Sequence, residues 1–116
     1  MRHRKKTVIL GRKRGPRRAL LSSLATSVIL YERVTTTEAK AKAVRPMIER
    51  LVTKGKVNSL HVKRELNSTR IEKKAVKKIL DVLGPRYKDR SGGYLRIIKQ
   101  GQRQGDAAPI VTIEFV

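Results

Sequence analysis

Residues 86–97 read RYKDRSGGYLRI, which sets Gly92 and Gly93 among Arg86, Lys88, Arg90 and Arg96. A glycine pair beside cations has two chemistries open to it. Its backbone N–H groups can cradle a phosphate, or it can simply reverse the chain. A phosphate-binding loop follows a strand and opens a helix, so that the helix N-terminus faces the anion. Here the glycines follow a charged loop and open the alternating tract YLRIIK, with neither a Walker lysine nor GxGxxG spacing. The order is inverted, and the turn reading is favoured. The flanking cations stay candidates in their own right. A planar guanidinium fork suits phosphate better than an ammonium does, and a solvated surface is the plain alternative for each.

A second concentration of charge lies at the start. Residues 1–18 hold Arg2, Arg4, Lys5, Lys6, Arg12, Lys13, Arg14, Arg17 and Arg18, with His3 beside them and no acid. Only Val8, Ile9 and Leu10 are strongly apolar there, so the stretch reads as a basic arm ordered by a polyanionic partner. Residues 19–116 then form a single α/β globular domain.

Catalysis needs titratable groups gathered in a cleft. The two histidines, His3 and His61, fall in separate regions, and the acids are spread singly along the chain. No carboxylate pair, metal-ligand spacing or serine-elbow pattern occurs, and the absence of cysteine removes disulfides and thiolate metal sites. An enzyme is not expected, nor is a cofactor, a metal or a small-molecule substrate.

Charge balance points elsewhere. Lys and Arg number 29 against 9 Asp and Glu, a formal +20, whereas solubility alone is met by a net charge of about 2 to 8 in a small domain. Such self-repulsion is relieved by a polyanion, and each phosphate neutralised also releases condensed counterions. Nucleic acid is the leading partner; an anionic membrane surface is the competitor, although the longest apolar run is far short of the ~20 residues of a membrane span. No helix-turn-helix, zinc finger or basic zipper is visible. Tyr31, Tyr87, Tyr94 and Phe115 are the only aromatics, a thin supply for single-strand stacking. Recognition of the backbone and shape of folded RNA remains, with a sequence-independent architectural DNA-binding protein as the alternative.

The elements that must carry these charges follow from periodicity. Leu20, Leu21, Leu24, Ala25, Val28 and Ile29 make one helical stripe from about Arg17 to Tyr31. Ser22, Ser23, Thr26 and Ser27 fill its other face, a small polar surface that lets a backbone or an RNA strand come close. RVTTT at 33–37 suits a short strand. Thr35 with Glu38, and Thr69 with Glu72, have the spacing of capping boxes opening two further helices. The first carries Val44, Met47, Ile48, Leu51 and Val52, with Pro46 as an awkward member, and ends at Gly55. A short helix with Leu60, Val62 and Leu66 follows. The last carries Ile71, Ala75, Val76, Ile79, Leu80 and Leu83 and should stop at Gly84-Pro85 through a left-handed glycine. YLRIIK and PIVTIEFV alternate as two strands. The fold class is α+β: two layers, helices packed on a small three-stranded mixed sheet, in the order α-β-α-α-α-β-β.

Five motifs, in this order and spacing, carry a family resemblance: MRHRK (Met1–Lys5), TTEAKAK (Thr36–Lys42), GPR (Gly84–Arg86), RSGGYLRI (Arg90–Ile97) and GDAAPIVTIEFV (Gly105–Val116). Over essentially its whole length the chain resembles the bacterial large-subunit ribosomal protein number seventeen family. The resemblance implies a cytoplasmic structural constituent of the large ribosomal subunit, placed on the solvent side near the rim of the peptide exit tunnel. Its implied partners are large-subunit ribosomal RNA and neighbouring ribosomal proteins. The family's basic N-terminal stretch falls on Arg2, His3, Arg4 and Lys5, and its turn on Arg90, Gly92, Gly93, Tyr94 and Arg96.

Overall fold

The apolar periodicities build one helical layer and one sheet. A computed structural model describes residues 3–4 and 8–116. Helix α1 (Arg14–Tyr31) leads into β1 (Arg33–Thr37), α2 (Glu38–Gly55) and α3 (Leu60–Asn67). Helix α4 (Lys73–Lys78) runs on through a π-helical segment (Ile79–Leu83) into a last turn, α5 (Gly84–Arg86), before β2 (Leu95–Gln102) and β3 (Pro109–Phe115). The α+β order read from the sequence is present, with its fourth helix in three pieces. Helix α1 begins inside the stretch read as the arm. No described helix is long and apolar enough to cross a membrane.

The sheet order is β1-β3-β2, and both pairings are antiparallel. The expectation of a mixed sheet is corrected here. The helical crossover does leave β1 and β2 pointing the same way, but the final strand inserts between them, so no parallel pair forms. Strand alternation then sends Val34, Leu95, Ile97, Val111, Ile113 and Phe115 toward the helices. Helix α2 covers this face with Ala41, Val44, Ile48, Leu51 and Val52, all buried. Ala25, Val28 and Ile29 of α1 and Ile79 and Leu83 of the π segment close the core. Tyr87 packs against Tyr94 and Phe115, with ring centroids 5.1 and 6.0 Å apart. Leu60 departs from its expected stripe: it is 64% exposed, and Leu66 alone anchors α3 fully.

Neither expected capping box forms. Thr35 is a strand residue, its hydroxyl 3.3 Å from that of Thr112 across the sheet. Thr69 bonds backward, donating to the Leu66 carbonyl at 2.5 Å, and Glu72 is itself the residue preceding α4. Both threonines found nearer partners, which spacing alone does not reveal. Pro46 lies inside α2, and the helix continues past it.

Gly84 is the second correction. Its φ of −55° is right-handed, and the helical path runs through Gly84-Pro85 to Arg86. A side chain there would put its Cβ 2.4 Å from the carbonyl oxygen of Gly55, and one on Gly55 would meet Ile79 Cγ2 at 2.2 Å. The two glycines are the point where the π segment crosses α2 backbone to backbone. Close approach, rather than a left-handed turn, requires them.

Candidate nucleic-acid interface

At the glycine turn, Gly92 and Gly93 have φ of 145° and 62°, and nothing lies within 4 Å of where their side chains would be. They hold a chain reversal that L side chains resist, and β2 follows two residues later. The turn reading stands. Tyr94 is fully buried, so its ring has no face to offer a base. It instead anchors the turn: its hydroxyl lies 3.1 Å from Thr53 Oγ1, and Lys56 Nζ sits 4.8 Å from its ring centroid.

The cations around this turn separate into two kinds. Arg86 forms an ion pair with Glu32, and Lys78 Nζ joins the same carboxylate at 3.3 Å. Glu32 has φ 62° and closes α1; the Arg86 hydrogen bond, aided by Lys78 and opposed by burial, holds its carboxyl below the ordinary value. Arg96 donates to Glu114 at 2.7 Å, and Arg33 lies 3.5 Å from the other oxygen. Register explains this clamp, because Arg33, Glu114 and Arg96 lie in one row across the three strands. Arg86 and Arg96 are therefore structural braces as well as surface charges. Lys88 and Arg90 are exposed and have no acidic partner among the described residues.

A different environment surrounds the start of α1. Leu10 and Gly11 have φ of 55° and 65°, turning the chain, and Arg12 donates to the Leu10 carbonyl at 2.7 Å. Lys13 then precedes α1 with no side-chain cap, and the helix has no acid in its first turn. Its opening residues instead include Arg14, Arg17 and Arg18. A helix N-terminus carries roughly half a positive charge, so cations there are unfavourable by about 0.3–1 kcal/mol each unless an anion is present. Among the described residues none of Arg12, Lys13, Arg14, Arg17 and Arg18 has an acidic partner. His3 and Arg4 are exposed; Arg2, Lys5 and Lys6 lie outside the described residues.

Other exposed cations are not singled out by local sequence. Lys73, Lys74 and Lys77 are exposed on α4, and Arg70 precedes it. Their helical offset from Ala75, Val76 and Ile79 was the available signal. His61 is exposed, 4.0 Å from Glu65 on the same helix. Among the described residues no three His, Asp or Glu side chains gather as a metal site would require.

Comparison with known proteins agrees with this chemistry. The family model described as "Ribosomal protein L17" matches residues 20–116. "Large ribosomal subunit protein bL17" of Rickettsia bellii is 51% identical over 116 residues, covering all of this chain and 82% of the relative. The protein of the same name from Caldanaerobacter subterraneus subsp. tengcongensis is 49% identical over 107 residues, covering 92% of this chain and 96% of its own. That of Thermomicrobium roseum is 47% identical over 116 residues, covering 100% and 99%.

Proposed function

The chain belongs to the ribosomal protein L17 family, and from that premise we propose that it binds and braces ribosomal RNA near the rim of the peptide exit tunnel. Membership makes it a structural constituent of the large ribosomal subunit rather than an enzyme, working in the ribosome of the cytoplasm. Support for the tunnel-rim placement comes from the family resemblance. Support for RNA contact comes from one observation: Arg12, Lys13, Arg14, Arg17 and Arg18 lie at the N-terminus of an 18-residue helix whose own dipole opposes them, with no acidic partner among the described residues. Phosphates reverse the sign of that cost. They accept from the unsatisfied N–H groups of the first turn and from the guanidinium forks, and they release counterions as they dock.

In this account Arg2, His3, Arg4, Lys5, Lys6, Arg12, Lys13, Arg14, Arg17 and Arg18 form the primary contact. Lys88 and Arg90 form a second contact beside the Gly92-Gly93 turn, with Arg86 and Arg96 contributing field while they brace the fold. Neighbouring ribosomal proteins complete the setting. Filter binding to a large-subunit ribosomal RNA transcript and to duplex DNA of equal length, over a salt series, tests the reading. The transcript should bind at least tenfold tighter than DNA at physiological salt. Equal affinity and equal salt slopes would replace RNA bracing with sequence-independent DNA binding.

A further inference from the structure

Helix α2 presents Pro46, Glu49, Arg50, Thr53 and Lys54 at the three- and four-residue spacing of a single face. Opposite that face the glycine turn brings Gly92 and Tyr94, and between the two lies a cavity of about 420 Å³. This size falls within the roughly 300–1,000 Å³ of small-ligand clefts, which are mostly apolar with a few placed polar groups. Pro46 supplies an exposed apolar ring, and Gly92 leaves its wall without a side chain.

What marks this cavity is an acid short of hydrogen bonds. Glu49 is the only carboxylate on its wall, and its side chain is 26% exposed. Its Oε1 is covered and accepts no hydrogen bond; Arg45 Nε, the cation beside it, lies 3.6 Å away. This is the one buried side-chain polar atom among the described residues that lacks a hydrogen-bond partner, a shortfall that costs free energy until a donor supplies it. The neighbouring hydroxyls are already committed. Thr53 donates to the Glu49 carbonyl at 2.9 Å, so Tyr94 is the donor in the 3.1 Å bond between their hydroxyls. Around this acid the charge is positive. Arg50 and Arg90 are exposed with no acidic partner among the described residues. Lys56 donates to the Arg90 carbonyl beneath the turn, and only Lys54 is offset, by Glu65.

The structure assigns this cavity to an unpaired RNA base that bears an amino group. The assignment rests on the RNA-binding reading above and deepens its second contact, at Lys88 and Arg90. A carboxylate on a phosphate-binding surface repels the backbone and accepts from an amino group, as Glu and Asp do from cytosine. Adenine, cytosine and guanine carry such a group; uracil presents a carbonyl oxygen in its place, which a carboxylate repels. Proteins read unpaired bases in this way, through the hydrogen-bonding edge and through packing on the flat face, and Pro46 is placed for the second. A lysine or arginine of a neighbouring protein is also a donor, but Arg50, Lys56 and Arg90 oppose its approach. An RNA strand turns that opposition into attraction, because its phosphates meet those cations while a neutral base enters. Tyr94 stays buried, so the discrimination among bases comes from hydrogen bonding to Glu49 and not from an aromatic platform.

Cytidine and uridine oligoribonucleotides of equal length test this, since they compare a pyrimidine that has the amino group with one that lacks it. The parent should prefer the cytidine oligomer roughly tenfold, as one good base contact allows. Glu49→Gln, whose amide both donates and accepts, should bring that ratio to about one. Losing a negative charge strengthens binding to both oligomers alike, so the ratio reads the base contact alone. Arg50→Gln should lower the salt slope for both by about one and leave the preference intact. Equal binding of the two oligomers by the parent, or a preference that survives Glu49→Gln, would overturn the base pocket. The RNA-binding reading stands or falls separately, on the comparison of the ribosomal RNA transcript with duplex DNA, so the two failures are told apart. An unchanged ratio in Glu49→Gln, with loss of a neighbouring protein from reconstituted subunits, would make the cavity a protein seat and also overturn the proposal.

Discussion

The start of α1 and the sheet face around Glu114 carry the same side chains and use them in opposite ways. Arg33 and Arg96 are matched across the strands to one carboxylate, which is itself only 12% exposed. Arg14, Arg17 and Arg18 have no acidic partner among the described residues, at the helix end that favours anions. The sheet arginines are already satisfied at home, and the helix arginines are not. A formal charge of +20 already subtracts the acids, so it gives the size of the surplus and says nothing of where that surplus lies. Glu32, Glu38, Glu49, Glu65, Asp106 and Glu114 each engage a cation, and what they leave over is concentrated in particular places.

The largest expected effect separates fold from charge. Gly84→Ala sets a Cβ against the Gly55 carbonyl and should cost about 2–4 kcal/mol of stability, in the range of backbone clash and overpacking. Thermal melting should report it, and the protein that remains folded should bind RNA as before. Loss of RNA affinity without loss of stability would mean that the crossing belongs to the interface. Next comes the second contact. Lys88→Gln/Arg90→Gln should weaken RNA binding roughly tenfold through two fewer phosphate contacts, with melting unchanged; an unchanged salt slope would confine the interface to α1 and its arm.

The smallest effect is the pH dependence of the Glu32 clamp. Its carboxyl is held below the ordinary 4.5, first by the Arg86 hydrogen bond, against burial. A depressed carboxylate contributes stability that is full above the unfolded value and is lost as pH falls through the folded one. The parent's stability should therefore decline below about pH 4.5, and Glu32→Gln should show a shallower acid decline from a lower start. Parallel declines would show that the pair contributes nothing to folding, as many surface pairs do not. Asp106, drawn down to about 2 by Arg103 and by the Ala108 N–H, is exposed at the hairpin tip and should affect local order alone.

Much of this was legible beforehand. Helical stripes ending in Val28-Ile29, in Leu51-Val52 and at Leu83 give the helices, because burial on one side imposes a period that neutral sequence rarely mimics. The basic arm and the Gly92-Gly93 turn were visible as composition and as inverted context. What escaped depended on distance. Arg86 and Glu32 are 54 positions apart, and no local pattern says that one silences the other. Gly84 before proline looks like a stop signal, and only the approach of Gly55 shows that it is a crossing. Tyr94 sits in a motif that reads as surface, yet alternation into β2 and the Thr53 hydroxyl draw it inside. Ser22, Ser23, Thr26 and Ser27 read as a small polar face, but no spacing places Arg70 and Glu72 opposite them.

The central claim is that pairing, not net charge, decides which cations meet RNA. Two triple variants of equal charge change test it: Arg14→Gln/Arg17→Gln/Arg18→Gln against Arg33→Gln/Arg96→Gln/Arg103→Gln. The salt slope of binding to the ribosomal RNA transcript should fall by about 0.9 per lost phosphate contact, hence by between two and three for the first variant and by less than one for the second. Equal falls in both would contradict the account and return the whole interaction to overall charge.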